Sequence, residues 1–180
     1  MAQEDLDQQD HTNYMQEVKV HREGSYSFGP IAPKRISDIE RIINKQQKLD
    51  KTFINIATEI SQLSHCVRSK VGAVIVNNGN IISFGYNGTP AGMDNCCEKD
   101  NVTLPHVVHA ESNAILKAAK SGYAVEGSTL YLTLSPCQDC CKLILQSGIK
   151  RVVYKDEYRD ITGVHFLKQF IAVEHYKDTL

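Results

Sequence analysis

No apolar run in this chain approaches the ~20 residues needed to cross a bilayer. No signal peptide is evident either, because residues 1–10 are acidic and rich in glutamine, whereas a signal peptide is basic and then apolar. These absences argue against a membrane protein. We therefore expect a soluble protein of the cytoplasm.

The chain also lacks an excess of charge of either sign. It has 20 Lys and Arg against 21 Asp and Glu, which gives a formal net charge of -1. Such a balance provides no overall attraction to nucleic acid or to an anionic membrane, and no dense basic run occurs. We expect a small-molecule substrate and no stable binding of nucleic acid.

The six cysteines fall into three groups, at position 66, at 96–97 and at 137–141. In a chain without a signal peptide, this grouping favours free thiols and metal ligands over a disulfide framework.

The length of 180 residues and the hydrophobic content of 42% suit one globular domain with an extension. Residues 1–48 are polar and include a loop-like stretch at 24–30. We predict an N-terminal extension there, which is either helical from about 36 to 48 or a loosely attached tail. Residues 49–180 form the predicted domain.

The pattern of this domain predicts alternating helices and strands. Helices are expected at 53–63, 109–121 and 137–146, strands at 71–76, 81–86, 129–134 and 152–154, and a last helix and strand within 164–173. Asn78 and Gly79 predict a hairpin turn between the first two strands, because both residues tolerate positive φ. A long loop is expected at 88–105. The alternation indicates an α/β layered domain.

Two motifs carry the chemistry, H-A-E at 109–111 and P-C-Q-D-C at 136–140. The motifs predict His109, Cys137 and Cys140 as zinc ligands, and three protein ligands leave the fourth tetrahedral position open, as in catalytic zinc sites. Each motif begins a predicted helix, where the dipole and the free N–H groups stabilise thiolates. Zinc deaminases share this H-x-E and P-C-x-x-C pattern.

Glu111 is a carboxylate that need not bind the metal. It lies two residues after His109, so on the first helical turn it points in a different direction and can face a water molecule that zinc activates. The sequence therefore predicts hydrolytic deamination of an aromatic amidine, with Glu111 as the proton shuttle. Taken separately, a His at a helix start is usually a cap or surface residue, and a lone C-x-x-C is often structural or redox-active.

The chain resembles the deoxycytidylate (dCMP) deaminases, including phage ones, over about residues 49–160. The resemblance rests on five segments: VGAVIV at 71–76, GYNGTP at 85–90, HAESNAI at 109–115, SPCQDC at 135–140 and QSGIKRVVY at 146–154. It implies a three-layer cytidine-deaminase-like fold with a central five-stranded mixed sheet. It also implies conversion of dCMP to dUMP for thymidylate synthesis, in the host cytoplasm if the protein is phage-encoded.

The same resemblance implies a set of substrate contacts: Ser64, Arg68, Asn87, Ala110, Ser135 and Tyr158. Asn87 would contact the sugar, and Arg68 would receive the 5′-phosphate. The plainer alternatives are a turn residue for Asn87, a solvated side chain for Arg68 and a packing role for Tyr158.

Some members of this family carry a second, structural zinc, for which Cys96, Cys97, Glu98 and His106 are candidate ligands here. Members are commonly hexamers activated by dCTP and inhibited by dTTP, so the resemblance implies a homohexamer with an allosteric response. Lys117 and Lys120 depart from the residues common on the H-A-E helix. The same zinc chemistry would also serve dCTP, free cytidine or deoxycytidine, or a C5-modified dCMP. A zinc-binding interaction protein without activity is a further alternative.

Overall fold

A computed structural model describes residues 36–178 of the protein. The elements in chain order are α1 (Ile36–Ser61), β1 (Gly72–Asn77), β2 (Asn80–Tyr86), β3 (Glu98–Lys99), β4 (Val102–Thr103), α2 (Ala110–Lys120), β5 (Thr129–Leu134), α3 (Gln138–Gln146), β6 (Arg151–Asp156), α4 (Thr162–Leu167) and β7 (Ala172–His175). The loop-like stretch at 24–30 and the rest of the predicted extension up to residue 35 lie outside the described residues. None of the described helices is both long enough and apolar enough to span a bilayer.

The central element is a five-stranded mixed sheet in the order β2-β1-β5-β6-β7. β1 pairs antiparallel with β2 and with β5, whereas the pairs β5–β6 and β6–β7 are parallel. β1 and β5 are buried along nearly their whole length, as expected for strands that are covered on both faces. The predicted α/β fold with a five-stranded mixed sheet is confirmed.

The sheet separates two apolar layers, because successive residues of a strand face opposite sides. On one face, Phe53 and Ala57 of α1 pack with Val74 and Tyr131. On the other face, residues of α2, α3 and α4 pack against the intervening strand positions, such as Ile75. The fold is therefore three layers deep, and the starts of α2 and α3 lie on the same side of the sheet.

The hairpin between β1 and β2 has the predicted two-residue turn. Asn78 and Gly79 have φ values of 50° and 79°, and Asn77 pairs with Asn80 at the base of the turn. Both turn residues occupy the left-handed region, which Asn and Gly tolerate best.

Helix α1 differs from the sequence prediction, which placed one helix at 53–63 and left residues 36–48 as either a separate helix or a loosely attached tail. The structure has one continuous helix. Polar residues at 45–48 interrupt the apolar periodicity, but Lys and Gln are good helix formers, so the backbone continues through them. That residues 1–48 are an extension to the domain stays a prediction.

A short hairpin, β3–β4, lies inside the loop predicted at 88–105. Glu98 pairs with Thr103 and Lys99 with Val102. The turn places Asp100 and Asn101 at φ values of 50° and 60°. Strands of two residues are too short to show an alternating pattern, which is why the sequence did not predict them.

Cys66 and Cys97 form a disulfide, with their Cα atoms 5.2 Å apart. Both lie in a small buried cluster with Val107. The prediction of free thiols and metal ligands was therefore wrong for this pair, because the fold brings together two cysteines that are far apart in sequence. The remaining four cysteines are free.

Thiol counting tests this pairing. Denatured, metal-free protein prepared without reductant should show four reactive thiols with a thiol reagent, and six after reduction. Six thiols before reduction would contradict the disulfide.

A polar network joins α1 to β5, β6 and β7. Both Nη atoms of Arg151 donate to the Asp50 carboxylate at 2.8 Å, and the Tyr131 hydroxyl donates to Asp50 at the same distance. Arg151 also donates through Nε and Nη2 to Glu174, at 2.7 Å in each case. Burial alone would raise the pKa of Asp50, but the hydrogen bonds, chiefly from Arg151, lower it below its usual value.

Asp50→Asn should destabilise the fold because it removes one charge of this pair. The Asp50 and Arg151 side chains are 11% and 19% exposed. The expected loss is about 2 kcal/mol in the free energy of unfolding at pH 7, between the values for exposed and for fully buried pairs. Because the pKa of Asp50 is lowered in the folded protein, its contribution is present above about pH 4 and is lost as the pH falls through the folded-state pKa. Urea unfolding of both proteins at pH 7 and below about pH 4 measures the effect.

Lys51→Gln is the matched control on the same helix. Lys51 pairs with Asp178 at 3.0 Å, but both side chains are largely exposed. Its removal should leave the urea midpoint nearly unchanged. Equal losses in the two variants would show that the Asp50 network has no special role in stability.

Candidate active site

The starts of α2 and α3 converge on one point. His109 immediately precedes α2 and Cys137 immediately precedes α3, both with extended backbone at ψ values of 154° and 166°. Neither side chain makes a capping hydrogen bond to its own helix. Both side chains are therefore free to point towards each other.

Close packing against β2 fixes the start of α2. A Cβ atom at Gly85 would collide with the backbone of Ala110 and Ala114, so only glycine allows the helix to approach this strand so closely. The Asn113 amide also donates to the Tyr86 carbonyl oxygen at 2.8 Å. The position of His109 thus follows from packing between α2 and the sheet.

His109, Cys137 and Cys140 form a compact cluster of metal-ligand atoms. Nδ1 of His109 lies 3.5 Å from Sγ of Cys137 and 3.4 Å from Sγ of Cys140, and all three atoms lie within 4.8 Å of one another. An N and an S ligand at about 2.1 and 2.3 Å from a tetrahedral zinc are roughly 3.5 Å apart. The cluster therefore fits a zinc ion, as the sequence predicted.

The protonation of the cluster also suits metal binding. A hydrogen bond from the Cys140 thiol, followed by the contact with His109, lowers the pKa of Cys137 to about 4. The Cys137 thiolate, followed by burial, raises the pKa of Cys140. The contact with Cys137 raises the pKa of His109. Cys137 is thus a thiolate at neutral pH, and a bound cation would favour the thiolate form of Cys140 as well.

Glu111 lies beside this cluster and is not part of it. Its side chain is buried, with 4% of the residue exposed, and lines the same cavity as His109 and Cys137. Burial raises the pKa of Glu111 to about 7, partly offset by a hydrogen bond from its own backbone N–H. The arrangement agrees with a carboxylate that faces the substrate rather than the metal.

The cluster opens into a cavity of ≈ 190 Å³. The lining residues come from the segment before β1, the ends of β2 and β5, the β3–β4 hairpin, the starts of α2 and α3 and the segment after β6: Arg68, Ser69, Val71, Asn87, Glu98, Thr103, Val107, His109, Ala110, Glu111, Leu134, Ser135, Cys137 and Tyr158. Five of the six predicted substrate contacts are among them, and Ser64 is not. The Ser64 hydroxyl is buried and donates to the Asn87 carbonyl oxygen at 2.7 Å.

Asn87 lines the cavity and also clamps the chain ahead of β1. Its Oδ1 accepts from the Val71 N–H and its Nδ2 donates to the Ser69 carbonyl oxygen, each at 2.8 Å. An amide NH₂ has two hydrogens, so one donor remains for a ligand. Asn87 therefore has a structural role that the sequence did not indicate.

Tyr158 and Ser135 lie together at the cavity wall. The Tyr158 N–H donates to the Ser135 hydroxyl at 2.8 Å, and the Arg159 guanidinium lies 5.6 Å from the centre of the Tyr158 ring. The two residues thus support each other beside the metal cluster.

Arg68 lies in the cavity with its charge available to an anion. Its Nη1 donates to the Thr103 hydroxyl at 2.8 Å. Within residues 36–178, no carboxylate lies within 4.0 Å of its guanidinium. Thr103 is not among the predicted contacts, because nothing in the sequence marks a hairpin threonine as a neighbour of Arg68.

The structure does not assemble the second zinc site that was considered for this region. Cys97 is paired with Cys66, and the Cys96 thiol donates to the Glu98 carbonyl oxygen at 3.2 Å. His106 is exposed. In the part of the chain that the structure describes, the metal-ligand cluster found is that of His109, Cys137 and Cys140.

Lys117, which departs from the residues common at its position, has aromatic neighbours. Its Nζ lies 5.0 Å from the centre of the Phe84 ring and 4.9 Å from that of Tyr86. Burial lowers its pKa. The lysine thus finds cation–π partners on β2.

Comparison with known proteins agrees with this geometry. A profile of the cytidine and deoxycytidylate deaminase zinc-binding region matches residues 47–156. The chain is 41% identical over 149 residues to the deoxycytidylate deaminase of Enterobacteria phage T4, which covers 59% of this chain and 77% of the relative. It is 42% identical over 123 residues to the deoxycytidylate deaminase of Mycobacterium phage D29. That match covers 60% of this chain and 94% of the relative.

A solved structure supports the same relationship. The crystal structure of dCMP deaminase from the cyanophage S-TIM5, in complex with dCMP and dUMP, superposes with a TM-score of 0.70 at 45% sequence identity, covering 72% of this chain and 97% of that one. The profile match spans more than half of the chain and contains the whole metal cluster. The chain therefore belongs to the cytidine and deoxycytidylate deaminase family of zinc-binding enzymes.

Proposed function

We propose that the protein hydrolyses dCMP to dUMP and ammonia and thereby supplies dUMP for thymidylate synthesis. The observation that carries this proposal is the shared cavity, which has His109, Cys137 and Glu111 in its wall together with Arg68. No carboxylate among residues 36–178 lies within 4.0 Å of the Arg68 guanidinium. A nucleoside monophosphate has a base that can lie beside the metal ligands and Glu111, and a phosphate that can bind Arg68. The dCMP and dUMP bound to the cyanophage relative support this substrate class.

Glu111 is the residue that moves protons in this proposal. Its carboxylate takes the two protons of the attacking water one after the other and delivers the first to the ring nitrogen and the second to the leaving amine. A zinc ion held by His109, Cys137 and Cys140 would lower the pKa of a bound water and so supply the nucleophile at neutral pH. The buried position of Glu111 directs its carboxylate to the cavity.

The remaining cavity residues would orient the nucleotide. The free amide hydrogen of Asn87 is a donor for a sugar hydroxyl. The planar guanidinium of Arg68 suits the 5′-phosphate, since it can donate two parallel hydrogen bonds. Ala110, Ser135 and Tyr158 complete the wall near the base.

Ammonia release tests the proposal directly. Zinc-loaded protein should release ammonia from dCMP and much less from deoxycytidine or dCTP. Equal rates of ammonia release from dCMP and deoxycytidine would show that the enzyme does not recognise the phosphate. Absence of turnover on all three would favour a C5-modified nucleotide or a zinc-binding protein without activity.

Arg68→Ala should raise the KM for dCMP by roughly 10–100-fold, because a charge-assisted contact to the phosphate is lost. The kcat should change little, since Arg68 is remote from the reacting carbon. Steady-state kinetics on dCMP measure both values. Lys70→Ala is the matched control, because Lys70 is an exposed cation of the same segment that does not line the cavity; a similar KM in the two variants would contradict the phosphate role.

We also propose a homohexamer that responds to dCTP as activator and dTTP as inhibitor, located in the cytoplasm of a host cell. The exposed apolar residues Phe84 and Leu116, on β2 and on α2, are consistent with a surface that another copy covers. The phage relatives support the location. Sedimentation with and without each nucleotide tests the assembly.

A further inference from the structure

Two adjacent segments meet at the end of the cavity that contains Arg68. One is residues 64–70, the segment ahead of β1, and the other is the β3–β4 hairpin at residues 98–103. The Cys66–Cys97 disulfide links their bases covalently. Two further groups of polar contacts then connect the hairpin to Arg68 itself.

The first group involves the carboxylate of Glu98. Its Oε2 accepts from the Val67 N–H at 3.4 Å, and its Oε1 accepts from the Arg68 N–H at 3.3 Å. One carboxylate therefore holds two successive backbone amides. This contact sets the direction in which the Arg68 side chain leaves the backbone.

The second contact involves the hydroxyl of Thr103. It accepts from Nη1 of Arg68 at 2.8 Å, so it holds the far end of the same side chain. Glu98 and Thr103 are paired neighbours across the hairpin. Both residues line the cavity.

We propose that the β3–β4 hairpin is the positioning element for recognition of the monophosphate, with Glu98 fixing the backbone of Arg68 and Thr103 fixing its guanidinium. This inference rests on the proposed function, since it concerns the same cavity and the same phosphate. Glu98 and Thr103 are positioning residues that act through Arg68. Fixing a long, flexible side chain before the ligand arrives reduces the conformational entropy that binding must overcome.

The contacts go beyond what the fold requires to hold the hairpin. The disulfide already ties the hairpin to the segment ahead of β1, and Cys97 and Val107 are buried beneath it. By contrast, Thr103 is exposed, and its hydroxyl contacts the guanidinium of Arg68 within the cavity. A purely structural hairpin would not need that contact.

Two substitutions separate positioning from folding. Thr103→Val removes the hydroxyl and keeps the shape, and Glu98→Asp keeps the charge but shortens the side chain so that it no longer reaches both amides. Each should raise the KM for dCMP and the Kd for dUMP by about fivefold to tenfold, as the loss of one or two hydrogen bonds implies. The kcat for dCMP and the Kd for deoxyuridine, which has no phosphate, should stay unchanged.

Two controls complete the series. Val102→Thr changes the neighbouring exposed residue of the same hairpin and should leave every constant unchanged. Thr103→Ser restores a hydroxyl and should return the KM to within about twofold of the original. Isothermal calorimetry with dUMP and deoxyuridine gives the Kd values without relying on turnover.

The outcomes distinguish the positioning role of the hairpin from the Arg68 phosphate site on which it depends. If Arg68→Ala weakens dUMP binding but Thr103→Val and Glu98→Asp do not, the phosphate site stands and the positioning role is overturned. If none of the three weakens it, the Arg68 phosphate site fails and the inference fails with it. If Thr103→Val and Glu98→Asp weaken dUMP and deoxyuridine equally, the hairpin acts on the fold as a whole and the proposal is also overturned.

Discussion

Glu111→Gln should lower the kcat for dCMP by roughly 10²–10⁴-fold, the usual contribution of a general acid–base group. The amide has nearly the same shape as the carboxylate but cannot take a proton from the attacking water. The variant should still fold and bind zinc, because Glu111 is not one of the three clustered ligands. Steady-state ammonia release, circular dichroism and metal analysis measure the three quantities on one sample.

The matched control for this variant is Glu126→Gln. Glu126 is an exposed carboxylate that does not line the cavity, so its variant should retain full turnover. Retained turnover in Glu111→Gln would overturn the proton-shuttle role. Loss of zinc in that variant would instead show that Glu111 supports the metal cluster.

Cys140→Ser should remove most of the bound zinc and lower turnover by about 10²-fold or more. Substitution of residues that only support the ligands already lowers metal affinity or activity by about 10–100-fold. A hydroxyl is a poor substitute for a thiolate, which is a strong zinc ligand. Cys140 is a buried residue of α3, with Sγ 3.4 Å from Nδ1 of His109. Metal content after dialysis against zinc-free buffer and turnover before and after zinc is restored measure the effect.

Cys141→Ala is the matched control, which tests whether the ligand role belongs to Cys140 and not to its neighbour. Cys141 is the next residue and is fully buried, but its thiol donates to the Pro136 carbonyl oxygen and is not in the cluster. Burial also raises its pKa to about 12, which disfavours the thiolate. The variant should keep its zinc. Equal metal loss in both variants would contradict the assigned ligand set.

The metal cluster could be predicted because each half of it is local in sequence. Cys137 and Cys140 are one helical turn apart, and His109 stands beside Glu111 at the start of another helix. The residue types then specify the chemistry, since few other reactions use two thiolates, an imidazole and a nearby carboxylate in this spacing.

The contacts that the sequence did not reveal join residues far apart in the chain. Asp50 meets Arg151 across 101 positions, and Cys66 meets Cys97 across 31. No periodic pattern records such a pair, because each partner alone resembles an ordinary charged residue or a free thiol. Only the packing of α1 on the sheet, or of the hairpin on its neighbour, brings them together.

Asn87 has a structural role beside the substrate contact that the family resemblance implies, and that contact stays a prediction. The sequence placed it beside the substrate, and it does line the cavity. Its amide also bonds to the backbone of Ser69 and Val71, a role that depends on a chain segment 16 to 18 residues earlier. The geometry of that segment could not be obtained from the motif itself.

The short hairpin between β2 and α2 separates the enzyme into two independently variable parts. The metal ligands are held by the starts of α2 and α3, which pack against the sheet, whereas Glu98 and Thr103 belong to the β3–β4 hairpin, which the Cys66–Cys97 disulfide ties to the segment ahead of β1. Because α2 and α3 pack on the sheet, we expect changes in the length or composition of the hairpin to leave the helix starts in place. Evolution can therefore alter which nucleotides enter without rebuilding the chemistry, and the same segment is the natural place to exchange when a new substrate range is engineered.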